Sequence, residues 1–225
     1  MQRLIINILK MKKKTNLLIL LALLSAYCIA LLVVRIWITE SIFYGFLVWN
    51  LILAYIPFVI SKMILIKSFK KPIFLLWFLV WLLFLPNAPY IITDIFHLNK
   101  QTTMPIWFDL LVVISFAFNG ILLFFLSVYD VNSILLQRFS VAKTWIITTC
   151  IFFLTGFGVY LGRFLRFNSW DMASNPKIVL IEIFERIVQP TSHPRTWGFT
   201  LGFGMLLLLG FLFFKTINAK EESIL

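Results

Sequence analysis

The sequence contains few charged residues, which make up only 13% of its 225 positions. A typical soluble domain has about 25% charged and roughly 45–50% apolar residues, whereas 61% of this chain is hydrophobic. A water-soluble fold of this size could not bury so much apolar surface. The aromatic content of 17% also excludes low-complexity disorder. The composition therefore indicates an integral membrane protein.

Cysteine and histidine are also scarce, with two of each. Cys28 and Cys150 both lie inside apolar runs, so neither a disulfide framework nor a cysteine zinc cluster is available. The chain has no glycine-rich phosphate loop, Gly-x-Ser-x-Gly, His-Glu-x-x-His or Cys-x-x-Cys motif. The sequence therefore does not support nucleotide-driven transport, serine hydrolysis at a Gly-x-Ser-x-Gly motif or zinc-dependent hydrolysis at a His-Glu-x-x-His motif. It also identifies no cofactor.

Six apolar segments approach the roughly 20 residues that a helix needs to cross a hydrocarbon core. We therefore predict one all-α membrane domain, a bundle of about six transmembrane helices. The third helix is interrupted by Pro86 and Pro89, because proline removes hydrogen bonds from the helical ladder. The freed backbone groups must then be buried in protein or face a cavity. The predicted spans are 17–34, 42–60, 73–98, 106–129, 141–162 and 197–214, after a basic tail at 1–16.

The distribution of lysine and arginine predicts the orientation of these spans. The tails and loops on one side carry thirteen of these residues, among them Lys12, Lys62 and Lys220, and those on the other carry seven. Positive residues stay in the cytoplasm, so both termini are predicted to be cytoplasmic. Cationic membrane flanks then explain the net charge of +11 without a nucleic-acid partner.

The first apolar run is predicted to be a retained span, not a secretion signal. It is 18 residues long, which is long for a signal peptide, and no small-x-small cleavage site follows it. The sequence Met11-Lys12-Lys13-Lys14 is typical of a natural start, so residues 1–10 are interpreted as an upstream extension.

Polar residues within spans are costly and therefore informative. The spacing of Tyr90, Asp94 and His97 places them on one face if this stretch is helical. Asp94 and His97 are candidate catalytic residues, since a carboxylate can orient an imidazole for proton transfer. No third ligand is spaced to complete a metal site, so no metal residue is assigned. The alternative is a kinked helix end at which Asp94 pairs with an arginine.

Arg163 and Arg166 are three residues apart, so we expect them on one face at the end of the fifth span. Guanidinium groups match phosphate oxygens, which suggests a lipid headgroup or another anion as ligand. Alternatively, both arginines extend to the membrane interface and pair with aspartates. The full set of candidate ligand-binding residues is Asn87, Tyr90, Asp94, His97, Asp109, Arg163, Arg166, Asn168, Trp170 and Asp171.

The loop 163–196 contains an amphipathic segment at 178–188. Its apolar residues recur at helical spacing opposite Glu182, Glu185 and Arg186, which predicts a helix in the outer membrane interface that caps the polar residues. An exposed amphipathic linker is the alternative. Within the spans, Asn50 and Asn119 are predicted to join helices by hydrogen bonds, or else to line a permeation route.

Five stretches of the sequence form specific motifs: residues 49–51 (WNL), 54–57 (AYIP), 85–98 (LPNAPYIITDIFHL), 162–171 (GRFLRFNSWD) and 193–195 (HPR). Together they resemble the DUF1361 family (domain of unknown function 1361) of bacterial multi-pass membrane proteins. The resemblance implies a multi-pass protein of the bacterial cytoplasmic membrane, and it carries over no activity, catalytic residue or metal ligand.

Three functions remain open at this stage. The first is binding or transport of an anionic or lipid-like ligand at the outward-facing polar residues. The second is a membrane-embedded enzyme of the cell envelope that uses Asp94 or His97 as general base. The third is an accessory subunit whose polar residues only hold helices together. Besides the lipid bilayer, a homodimer or a partner membrane protein is expected, because six spans are few for a stand-alone transporter.

Overall fold

The computed structural model describes residues 2–67, 69–98 and 103–222, with side chains from residue 16 to residue 218. These residues form helices and no strand, which confirms the predicted all-α class. Lys100, which entered the charge count, lies outside the described residues. The α-helices are α1 (Gln2–Thr39), α2 (Phe46–Lys67), α3 (Lys71–Phe84), α4 (Asn87–Tyr90), α5 (Ile106–Arg138), α6 (Val141–Phe164), α7 (Asp171–Ser174), α8 (Pro176–Val188) and α9 (Pro194–Glu222), and short 3₁₀ helices cover Phe43–Gly45, Ile91–His97 and Pro190–Ser192.

Six helical stretches in the described part of the chain are long and apolar enough to cross a membrane, as predicted. Most continue beyond the apolar run that predicts them, because a helix does not stop where its hydrophobic residues do. The fourth span, for example, extends to Arg138. The six stretches are Asn16–Thr39, Phe43–Lys67, Lys71–His97, Ile106–Arg138, Val141–Phe164 and Pro194–Asn218.

The bundle is built around α5, the most buried of the spans, which packs against α2, α1 and the 3₁₀ helix Ile91–His97. A second pair is formed by α6 and α9. Aromatic rings connect the two groups: Phe152 of α6 lies 5.8 Å from Phe124 of α5 and 5.3 Å from Phe211 of α9, between ring centroids. The end of the bundle where α6 ends and α9 begins carries α8, and we refer to it as the α8 end.

The third span is broken where the prolines predict it. α3 ends at Phe84, and the chain continues as α4 and then as a 3₁₀ helix. Side chains satisfy carbonyl groups at the break: Asn87 Nδ2 donates to the Phe84 oxygen at 2.8 Å, and Ser169 Oγ donates to the Leu83 oxygen at 3.1 Å. Ser169 belongs to the loop after α6, so the break is completed by a distant part of the chain.

Two glycines allow the broken segment to sit tightly between α5 and α6. A Cβ atom on Gly120 of α5 would lie 2.5 Å from the carbonyl oxygen of Ala88, and one on Gly158 of α6 would lie 2.5 Å from Cγ of Pro86. Real Cβ atoms do not approach other atoms so closely. Close packing therefore requires the absence of a side chain at both positions.

Hydrogen bonds also join the spans inside the apolar core. Asn119 Nδ2 of α5 donates to Ser25 Oγ of α1 at 2.9 Å, and Ser25 Oγ lies 2.8 Å from Tyr55 Oη of α2. Asn119 thus lies between helices, the first of its two predicted roles. Such bonds favour helix association in an apolar medium.

The close approach at Gly120 predicts that Gly120→Ala destabilises the protein. Overpacking costs about 1–3 kcal/mol, and the nearest atom here is a backbone oxygen that cannot rotate away. The apparent unfolding midpoint in detergent should fall. Gly202→Ala is the matched control, because a Cβ there meets nothing within 4 Å. Equal midpoints for the two variants would contradict the packing argument.

Candidate functional site

A cavity of about 400 Å³ lies beside the break in the third span. Its walls come from α2, α3, α4, α6, the loop 165–170, α7 and α8. The apolar part of the lining includes Leu53, Leu79, Leu82, Leu154, Phe157, Leu161, Val179 and Ile183, and the polar part includes Asn50, Asn87, Tyr90, Asn168 and Ser169.

The cavity is polar at the α8 end and apolar deeper in the bundle. Asn50 lies near the start of α2, and Asn168 follows the end of α6, so both are at the α8 end. Leu154 lies ten residues before the end of α6, which is about 15 Å along a helix that rises 1.5 Å per residue. The cavity therefore suits a molecule with one polar end and an apolar body.

Next to this cavity, Arg163 brings together three of the predicted residues. Its Nη1 atom lies 3.4 Å from Tyr90 Oη, 3.2 Å from Asp94 Oδ1 and 3.0 Å from His97 Nε2. Asn50 Nδ2 donates to the second carboxylate oxygen of Asp94 at 2.8 Å. The side chains of Asp94 and Arg163 are only 1% and 9% exposed. We call these five residues the Arg163 cluster.

Both predicted bases are hydrogen-bonded within the Arg163 cluster. Guanidinium groups only donate hydrogen bonds, so His97 Nε2 accepts from Arg163. Each oxygen of Asp94 accepts one hydrogen bond, from Asn50 or from Arg163. Within the described ranges, no three His, Cys, Asp or Glu side chains come together as metal ligands. The arrangement matches the alternative in which Asp94 pairs with an arginine.

Asp109 belongs to a separate ion pair. Its Oδ1 accepts from Arg35 Nε of α1 at 2.8 Å, and their side chains are 0% and 2% exposed. Arg35 also lies over the ring of Tyr44 at 4.3 Å, and Tyr44 Oη donates to the backbone oxygen of His97 at 3.0 Å. Asp109 therefore fixes α1 to α5. Arg35 is one of the seven lysines and arginines that the charge distribution assigns to loops on the outer side, and that assignment does not indicate a buried ion pair.

Arg166 does not share a helical face with Arg163, and that expectation is wrong. α6 ends at Phe164, and Arg166 has a φ of 61°, in the left-handed region. This reversal lets the amide of Phe167 donate to the carbonyl oxygen of Leu161 at 3.2 Å. The side chain of Arg166 is exposed, and it immediately precedes Phe167 and Asn168 in the cavity lining.

The other predicted residues of this loop fold it against the cavity. Asp171 Oδ2 accepts from the backbone amide of Asn168 at 2.7 Å. The rings of Trp170 and Trp49 are 6.3 Å apart, and Trp49 lines the cavity. Asn87 contacts the same loop, since its Nδ2 donates to Ser169 Oγ at 2.9 Å.

The amphipathic segment forms α8, and its polar residues do not all face away from the protein. Arg186 is buried, and its Nη1 donates to the backbone oxygen of Glu182 at 2.8 Å. Trp197 Nε1 of α9 donates to the backbone oxygen of Arg186 at 3.1 Å. Placement of α8 in the membrane interface stays a prediction.

At the opposite end of the bundle, sequence reasoning missed an ion pair. Lys62 Nζ lies 2.8 Å from Asp130 Oδ2, and Ser61 Oγ donates to the same oxygen at 3.1 Å. Lys62 was assigned to a loop and Asp130 to the region after a span ending at 129, whereas α2 and α5 both continue past them. If the predicted spans had been extended to the true ends of α2 and α5, Lys62 and Asp130 would both have been placed on helices at the same end of the bundle.

The buried contact between Asp94 and Arg163 predicts strong coupling in stability. Removing one partner of a buried ion pair costs about 3–5 kcal/mol, because the other charge is left unpaired. Asp94→Asn and Arg163→Gln should each lower the unfolding midpoint in detergent, and the double variant should lose less than their sum. Glu185→Gln, at an exposed carboxylate, is the control. Additive losses would mean that the pair contributes nothing.

Comparisons with known proteins place the sequence of this chain in a family. The sequence profile of the family described as "Protein of unknown function (DUF1361)" matches residues 49–209, more than two thirds of the chain. No curated protein and no solved structure matches. The matched region contains the cavity lining and the Arg163 cluster, and it excludes Arg35. The chain belongs to the DUF1361 family.

Proposed function

We propose that this multi-pass membrane protein binds a lipid-like molecule in the cavity beside the broken third span. The observation that carries the proposal is the cavity itself, with leucine-rich walls inside the bundle and amide and hydroxyl groups at the α8 end. Ligand pockets typically measure about 300–1,000 Å³ and combine apolar walls with a few polar groups. At about 400 Å³, this cavity suits a single hydrocarbon chain and its adjoining polar group.

The residues that line the cavity indicate that the part of the ligand inside it is uncharged. Among the described residues that line the cavity there is no acid and no base. A charge inside such a lining would lose its hydration without gaining a partner. An acyl or isoprenoid chain with a neutral polar group fits, since the polar part of the lining consists of neutral amide and hydroxyl groups.

An anionic headgroup would then lie outside the cavity, and we assign it to Arg166. This arginine is exposed and adjoins the lining in the sequence, whereas Arg163 is engaged by Asp94 and His97. A guanidinium group can bind phosphate oxygens in two-point geometry. This assignment keeps the predicted lipid headgroup and changes which arginine contacts it.

In this proposal the Arg163 cluster positions the cavity wall. Tyr90 belongs both to the cluster and to the lining, and Gly162, the neighbour of Arg163, also lines the cavity. The cluster holds the second half of the third span against α6. Since the described residues of the lining include no acid and no base, we favour binding over the enzymatic alternative.

A substitution that fills the cavity tests the proposal. Leu161→Trp replaces an aliphatic side chain of the lining with a bulky indole ring that occupies part of the cavity. Lipid binding should therefore fall about tenfold, or 1.4 kcal/mol. The probe is phosphatidylglycerol with a photoactivatable diazirine in its acyl chain, and cross-linked peptides from residues 154–169 are quantified by mass spectrometry.

The matched control is Leu206→Trp, an exposed leucine on α9, which should leave this cross-linking unchanged. Absence of cross-links in residues 154–169 of the wild-type protein would reject lipid binding and favour the accessory-subunit alternative. A parallel series with Arg166→Ala should reduce the preference for phosphatidylglycerol over phosphatidylcholine while cavity labelling persists.

The predicted orientation has a separate test. With both termini cytoplasmic, a cysteine at Ser174 in α7 would face the outside of the cell. Ser174→Cys in a Cys150→Ser background should react with an impermeant thiol reagent on intact cells, because Ser174 is exposed and the remaining Cys28 is buried. Reaction only after cell breakage would mean that the α8 end faces the cytoplasm.

A further inference from the structure

The side of α8 that faces away from the protein is mostly apolar, and Lys177 and Glu185 are its exposed charged residues. Six of its side chains are 46–65% exposed: Ile178, Leu180, Ile181, Phe184, Ile187 and Val188. On the other side, Val179 is buried, and Val179 and Ile183 line the cavity. α8 therefore separates the cavity from its surroundings and presents apolar side chains to both, while Glu182, Glu185 and Arg186 lie along one flank of the helix.

Hydrocarbon is the occupant that fits this outward face. An exposed apolar patch of several large side chains marks a contact with protein or membrane. α8 connects α6 to α9, both of which span the membrane. Residues of α8 line the same cavity as Leu154, which lies about 15 Å from the end of α6 towards the middle of that span. The bilayer is thus within reach of its outward face.

The attachment of α8 to the spanning helices is slight. The backbone of α8 packs mainly against α7 and the 3₁₀ helix Pro190–Ser192, which are its neighbours in the chain, and less against the spanning helices. Across the described ranges, one hydrogen bond joins it to a span, from Trp197 Nε1 to the Arg186 oxygen. Prolines at 176 and 190 lie at its two ends, where they interrupt continuous helical hydrogen bonding.

We propose that α8 is a membrane-embedded side wall, and that a lipid reaches the cavity laterally from the bilayer by passing α8. The inference rests on the proposed lipid binding and adds the source of the ligand. A hydrocarbon chain that moves from the outward face of α8 to its cavity face stays against apolar side chains. The ligand class is accordingly a lipid already dissolved in the membrane, as opposed to a water-soluble anion.

The first experiment locates α8. A nitroxide attached at Phe184→Cys in the full-length, vesicle-reconstituted protein, with Cys150→Ser, should relax strongly with oxygen and weakly with a water-soluble nickel chelate. A nitroxide at Ser192→Cys, an exposed residue beyond α8, should show the reverse. Strong relaxation by nickel at Phe184→Cys would overturn the proposal. Protection from both reagents, which indicates a protein covering this face, would also overturn it.

The second experiment measures loading of the cavity. Donor vesicles supply the diazirine phosphatidylglycerol, and cross-linking to residues 154–169 is followed over time. The variant Ile181→Lys/Phe184→Lys should load about tenfold more slowly, because its lysines lift α8 from the hydrocarbon, and it should reach the wild-type level in detergent micelles. Glu185→Lys is the control, since that position already carries an exposed charged side chain.

A second variant acts in the opposite direction. Trp197→Phe removes the hydrogen bond to Arg186 and keeps an aromatic ring against Phe157, whose ring is 5.9 Å away; loading should accelerate. Loading rates equal to wild type in both variants would overturn the α8 route and leave lipid binding intact. No cavity cross-linking in the wild-type protein, even in micelles, would overturn both proposals.

Discussion

The requirement that backbone groups be satisfied inside a membrane governs this structure at the break of the third span. Two prolines, Pro86 and Pro89, prevent a continuous helix, and unpaired carbonyl groups cannot face hydrocarbon. Asn87 supplies one donor locally, and Ser169 supplies another from the loop after α6. The break therefore brings that loop to the third span. The cavity lies at this junction.

Close packing and charge pairing then fix the broken segment. The absence of side chains at Gly120 and Gly158 lets it lie against α5 and α6, and Arg163 fastens its second half through Asp94 and His97. The buried charges of Asp94 and Arg163 pair with each other, which is how charges persist inside a membrane protein. Asp94, a candidate catalytic residue in the sequence, thus pairs with Arg163 and helps to position the wall of a cavity whose described lining residues are uncharged. This arrangement is the physical basis for proposing a lipid-like ligand.

Much of the fold was predictable, because helix length and hydrophobicity are local properties. Six apolar segments and a proline pair suffice to predict six spans and a broken third helix. Asp94 and an arginine were also foreseen as partners, since few charges are available in the spans. The pair Lys62–Asp130 was not, because both residues were placed outside spans that in fact continue past them. Arg166 was misplaced because a single left-handed residue ends the helical periodicity.

The sequence by itself determined the membrane class, the number of spans, the position of the break and the amphipathic character of α8. Each of these follows from composition or from spacing along one helix. Only the tertiary structure decided which charges pair, since Arg35 and Asp109 are 74 residues apart and no periodicity links them. It also decided that a cavity exists, because its walls come from helices far apart in the chain. Volume between helices depends on their packing, which the order of residues in any one helix does not specify.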